Sequence, residues 1–174
     1  MDAIDLAFEV MDMRSFSNLW FWIALAVMWS SASHWVMGIP HDMIHAARRQ
    51  GGQAEVDLVD LARIYSARVL NVVDHALLLV IGFGCFWFTI LATLAFYYDI
   101  ELAQAVFFLM FPMIFVVWHS IRTARIVATT AREGEALYRA LIWHRRMTQL
   151  IGMLAVFATA MYGMYQNFSA SILN

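Results

Sequence analysis

The stretch His75–Tyr98, HALLLVIGFGCFWFTILATLAFYY, contains no Asp, Glu, Lys or Arg. A helix needs about 20 apolar residues to cross a bilayer, so this run can span one. Working outward, three more uncharged runs appear: Ser15–Pro40, Leu102–Ile121 and Met147–Asn174. Of the 174 residues, 63% are hydrophobic and 14% are charged. Soluble domains average roughly 45–50% apolar and about 25% charged. A water-soluble domain of this length could not hide so much apolar surface, so the solvent is lipid. The runs predict an all-α membrane protein, one membrane domain over 1–174, with four transmembrane helices over 17–38, 72–97, 102–121 and 145–166.

The charges predict an orientation. All eleven basic residues are arginine. Arg48, Arg49, Arg63 and Arg68 lie between the first two spans. Arg122, Arg125, Arg132, Arg139, Arg145 and Arg146 lie between the third and fourth or enter the fourth. The link between the second and third has Asp99 and Glu101 and no arginine. Cytoplasmic loops collect positive charge, so both termini are expected outside a bacterial inner membrane. The N-terminus carries acids where a signal peptide wants positive charge, so the first span is expected to stay. With one cysteine, Cys85, no intrachain disulfide can form; mid-helix, it reads as a small packing residue.

Asp2, Asp5, Glu9 and Asp12 recur at helical steps opposite Ile4, Ala7, Phe8 and Met11. This predicts a short amphipathic helix over 1–13 on the outer membrane face. Lipid-binding interfacial helices usually carry Lys and Arg. The acidic face therefore has two readings, a surface anchor or a docking face for a partner. Gly51 and Gly52 should break the helix leaving the first span, and a second helix from near Gln53 should run toward the second span.

The six histidines fall toward the predicted cytoplasmic side: His34, His41, His45, His75, His119 and His144. His75, Gly82 and Thr89 share one helical face. His144, Thr148, Gly152, Ala155, Thr159 and Gly163 share another, and Ala26, Ser30 and His34 follow the same rule. Small residues let helices approach closely in membranes, so His75 and His144 are expected to point at other helices. Asp74, inside the second span, is expected to face protein or water, with Trp143, Arg146 or a neighbouring histidine as partner.

A b-type haem or another tetrapyrrole takes axial histidines from facing helices, which makes His34, His75, His119 and His144 the cofactor candidates. His41 and His45 stand at i and i+4, but HxxxH lacks the glutamate of a metalloprotease helix, and no metal site is expected. The alternative is an interfacial belt: Trp35, Trp118 and Trp143 each adjoin a histidine at one depth, and Trp and His both suit the headgroup level. The aromatic-rich faces, including Phe83–Phe88 and Phe107–Phe111, fit lipid, a pigment or quinone tail, or another subunit.

The pattern MDMRSFSNLWFWIALAVMWSSASHWVMGIPHDM, followed by ARRQGGQAEVDL, resembles small four-helix membrane proteins of photosynthetic and marine alphaproteobacteria. Some of these carry the label "component of SufBCD complex", and the resemblance implies a link to iron–sulfur cluster assembly. The chain also resembles diheme cytochromes of the b561 type in helix number and length, although their ligands lie at both membrane faces.

With no nucleotide fingerprint, no CxxC pair and no loop large enough for a domain, the expected function is non-catalytic. It is that of an accessory or scaffolding subunit of a larger, energy-transducing inner-membrane complex, photosynthetic or respiratory. Its partners would be the lipid bilayer and other integral subunits, not nucleic acid. The alternative is a b-type cytochrome or quinone-reactive electron carrier using the four candidate histidines.

Overall fold

The computed structural model describes Phe16, 19–36 and 38–172, with backbone only for 35–36 and 169–172. Its order is α1 (Leu19–His34), β1 (Trp35–Val36), β2 (Ile39–Pro40), α2 (His41–Gln50), α3 (Gln53–Phe96), α4 (Glu101–Thr129) and α5 (Gly134–Ile172). The described residues are helical apart from turns and a hairpin of two two-residue strands. Three helices, α3, α4 and α5, are long and apolar enough to cross a membrane. α1 has 16 residues, about 24 Å at 1.5 Å per residue, against roughly 30 Å of hydrocarbon. The expected amphipathic helix over 1–13 lies outside the described residues.

α1 stops at His34, four residues before the predicted end of the first span. The uncharged run continues, but the backbone reverses through an antiparallel pair with Trp35 opposite Pro40 and Val36 opposite Ile39. Gly38 sits in that reversal at φ +85°, and a Cβ there would come 2.5 Å from the Tyr65 ring. Both the left-handed backbone and the close ring demand glycine. α2 then folds back and ends, as expected, at Gly51 and Gly52, both with positive φ.

α3 is one uninterrupted helix of 44 residues, about 66 Å long, more than twice the hydrocarbon thickness. The helix expected from Gln53 and the second span are thus one body. Its N-terminal part joins a polar-sided lobe whose buried core is Ile39, Ile44, Ala47, Leu58, Ala62, Val127, Leu137, Tyr138 and Leu141. Arg48 Nη2 to Glu135 Oε1, 3.1 Å, ties α2 to α5 across the lobe surface.

A second core lies in the apolar half and joins Leu25 and Trp29 of α1 to Val116 of α4 and Ala155 of α5. α3 packs on α4, α4 on α5, and α1 on α5, which leaves α3 at one edge. At the end opposite the lobe, Gln104 is buried and donates to the Ala95 carbonyl at 2.9 Å and to Asp99 at 2.7 Å. Gln166 Nε2 donates to Gln104 Oε1 at 2.7 Å. This chain of amides clamps the tight α3–α4 turn to α5. Phe16 enters at the same end: its N–H donates to Glu101 at 2.8 Å, and its ring covers Gly163. α1 therefore runs antiparallel to α5.

Candidate functional site: the groove between α4 and α5

The fifth helix uses the face that its sequence advertised. His144, Thr148, Gly152, Ala155, Thr159 and Gly163 are all buried. Gly152 receives the Trp29 indole, and Gly163 receives Phe16. The other two small-residue faces behave differently. Ala26, Ser30 and His34 are exposed, because α1 turns Leu25 and Trp29 inward instead. His75, Gly82 and Thr89 are also exposed, and a Cβ on Gly82 would meet nothing within 4 Å. His75 therefore meets no other described helix of this chain, and any helix it faces would have to come from a neighbour. Cys85, on the same side, is exposed rather than packed within the chain. Asp74 is exposed and makes no ion pair with Arg146 among the described residues.

Of the four candidate cofactor histidines, His119 and His144 meet. Their rings stack with centroids 4.8 Å apart and planes 2° from parallel. His144 is 3% exposed. Thr123 Oγ1 donates to the His119 carbonyl at 3.0 Å and lies 3.1 Å from His144 Nδ1. A hydroxyl has one proton. With that proton on the carbonyl, Thr123 accepts from Nδ1–H, and the neutral His144 ring keeps its lone pair on Nε2. Helical spacing builds this contact: His119 and Thr123 are one turn apart on α4, facing the first buried residue of the α5 stripe. In this arrangement each imidazole covers the other's face, leaving no room for a macrocycle between them. His75 is on the outer side of α3 and His34 ends α1, so neither joins the pair. His41 and His45 contact each other, Nε2 to Nε2 at 2.9 Å, on exposed α2. Among the described residues no cluster of three or more His, Cys, Asp or Glu could hold a metal. The partner-binding candidates Asp2, Asp5, Glu9 and Asp12 lie outside the described residues.

No family model, curated protein or solved structure matches the chain.

Beside the histidine pair, α4 and α5 diverge into two adjoining cavities that share Trp118, His119 and Met147. One, of about 500 Å³, is walled by Phe108, Phe111, Pro112 and Phe115 of α4 against Leu154 and Ala158 of α5. The other, of about 960 Å³, carries Arg122 on α4 and Arg139 and Arg146 on α5, with Trp143 between them. In sequence these arginines read as orientation signals, and Arg146 also as a candidate partner for Asp74. Their common groove becomes visible once Trp118, Arg122 and Ile126, at four-residue steps, are set opposite Ala136, Arg139, Trp143 and Arg146. Gln104 was also missed, although a polar amide inside an otherwise apolar run is a signal that could have marked it.

Proposed function

We propose that the protein is a non-catalytic accessory or scaffolding subunit of a larger inner-membrane complex, crossing the bilayer four times with both termini outside. One observation carries this reading: the membrane part of α3 is bare. Leu78 is 88% exposed, and Phe83, Phe86 and Trp87 all exceed half. Lipid alone would suit those side chains. It would not suit the seam that runs between them, His75, Gly82, Cys85 and Thr89, at steps of seven, three and four. Exposed small and polar residues in that spacing are what a neighbouring membrane helix packs against, and exposed Asp74 beside them is costly against lipid. The antiparallel path of α1 against α5 supports a fourth crossing. Apolar helices on the remaining sides suit contact with the bilayer.

Cys85 provides the test. It is the one cysteine in the chain and lies on the seam. A thiol-linked photocrosslinker placed there in native membranes should capture a discrete integral membrane protein. A crosslinker on a cysteine at the opposite edge, Ser31→Cys in a Cys85→Ser background, should not give the same adduct. Exclusive labelling of lipid from Cys85 would overturn the reading.

A further inference from the structure

We infer that the α4–α5 groove is a binding site for one anionic phospholipid of the surrounding bilayer, its phosphate held by Arg122, Arg139 and Arg146 and an acyl chain laid along the Phe108–Phe115 wall. The site is distinct from the α3 seam.

The two cavities have opposite chemistry and adjoin at Trp118, His119 and Met147. At about 500 and 960 Å³ each lies in the range of ligand pockets, roughly 300–1,000 Å³. The inner cavity is walled by aromatic and aliphatic carbon. The outer one brings together three guanidiniums, and among the described residues none of the three is in an ion pair. The chain contains two described ion pairs, and both use other arginines, Arg48 and Arg63. Three like charges around one groove repel one another unless an anion sits among them. Arginine's planar fork matches phosphate oxygens bidentately. A soluble anion would use the guanidiniums and leave the apolar half unexplained. A neutral lipid or quinone would use the apolar half and leave the guanidiniums unexplained. An anionic phospholipid uses both, and basic pockets between helices at the membrane surface are a recognised setting for such headgroups.

Local structure keeps the groove open. Pro112 lies inside α4 and lacks the N–H that would continue the helical ladder there, which bends a helix. Opposite it, Ala155 and Ala158 present only methyl groups. His119, shared by both cavities, has Nε2 buried without a hydrogen-bond partner, at the join between head and tail. Trp118 and Trp143 flank the guanidiniums at headgroup level, where indoles favour one wet and one apolar end.

The probes are dioleoylphosphatidylglycerol, dioleoylphosphatidylcholine and inorganic phosphate, each titrated into the full chain in neutral detergent micelles and followed by native mass spectrometry. The expected result is binding of the anionic lipid about tenfold or more tighter than the zwitterionic one, at one per chain. Arg122→Gln/Arg139→Gln/Arg146→Gln should remove that preference, the corresponding triple lysine variant should retain part of it, and Arg125→Gln, outside the groove, should leave it intact. Ala158→Phe should weaken the anionic lipid by filling the tail groove. Equal binding of the two lipids would overturn the inference, as would an unchanged preference in the triple glutamine variant. Phosphate that displaces the lipid at comparable affinity would reduce the site to a soluble-anion site and overturn it equally. Should the triple variant lose its helical circular dichroism, the single changes Arg139→Gln and Arg146→Gln, both at exposed positions, carry the same comparison.

Discussion

The indole of Trp29 rests on the backbone of Gly152: a Cβ built on that glycine would lie 2.8 Å from Trp29 Cε3. This is how α1 is held, a large ring seated where α5 has no side chain. Gly152→Val should therefore push α1 away. Overpacking a filled contact costs about 1–3 kcal/mol. The check is thermal unfolding in detergent, with Gly152→Ala expected to fall between wild type and valine. If the valine variant melts at the wild-type temperature, α1 is not seated there.

His144 and His75 should respond differently to alanine. His144→Ala removes a buried ring stacked on His119 and a hydrogen bond to Thr123. A buried bond of this kind contributes about 0.5–1.5 kcal/mol, before the lost packing is added. His75→Ala, on the open side of α3, should leave the melting temperature of the isolated protein nearly unchanged. A reduced-minus-oxidised spectrum on the same samples should show no band lost from either variant. Loss of a Soret band in His144→Ala would restore the tetrapyrrole reading.

Gln104→Leu should loosen the far end of the bundle. It strips the donors from the Ala95 carbonyl and Asp99, and the acceptor from Gln166. The Ala95 carbonyl is the buried one of these, and leaving it unpaired costs about 1–3 kcal/mol; Asp99 is exposed and Gln166 keeps the Tyr162 hydroxyl. Hydrogen exchange should rise first in the Tyr97–Ile100 turn. Uniform protection across that turn would show that the amide chain is not what closes it.

Gly38→Ala should damage the hairpin that returns the chain to the lobe. The substitution meets both a positive φ and the Tyr65 ring. Tyr65→Ala in the same chain should recover part of the loss by vacating the space, while the backbone strain remains. Melting temperatures of the two single variants and the double variant measure this; strict additivity would mean that the ring and the glycine do not meet.

The proposed orientation places the Gly51–Gly52 loop in the cytoplasm and the Asp99–Glu101 turn outside. In a Cys85→Ser background, Gln53→Cys should resist an impermeant thiol reagent applied to cells with the outer barrier opened. Asp99→Cys should react. Reversed labelling would invert the orientation.

The long helices were legible because lipid leaves a coarse mark, and uncharged runs such as His75–Tyr98 can be read without knowing any neighbour. The packing face of α5 was legible for a related reason: His144, Thr148, Gly152 and Ala155 place small or polar residues at every turn of one side. The face of α1 was not. Its contact is a large residue against a small one on another helix, Trp29 on Gly152, and helical spacing within α1 alone favours Ala26 and Ser30 instead. The end of α1 was misjudged because absence of charge continues through Gly38 and Pro40 while the backbone reverses. The groove was hidden because its arginines come from two helices separated by a turn, and their count along the chain says nothing about which face they share.

The unbroken length of α3 joins two things that chain position keeps apart. Leu58 and Ala62 are locked into the lobe core, Gly82 and Cys85 lie on the bare seam, and no proline or glycine-pair hinge comes between them. The helix acts as a shaft. A neighbour that pushed on it at Gly82 would load the core around Leu58 through the backbone ladder itself, without a relay of side chains.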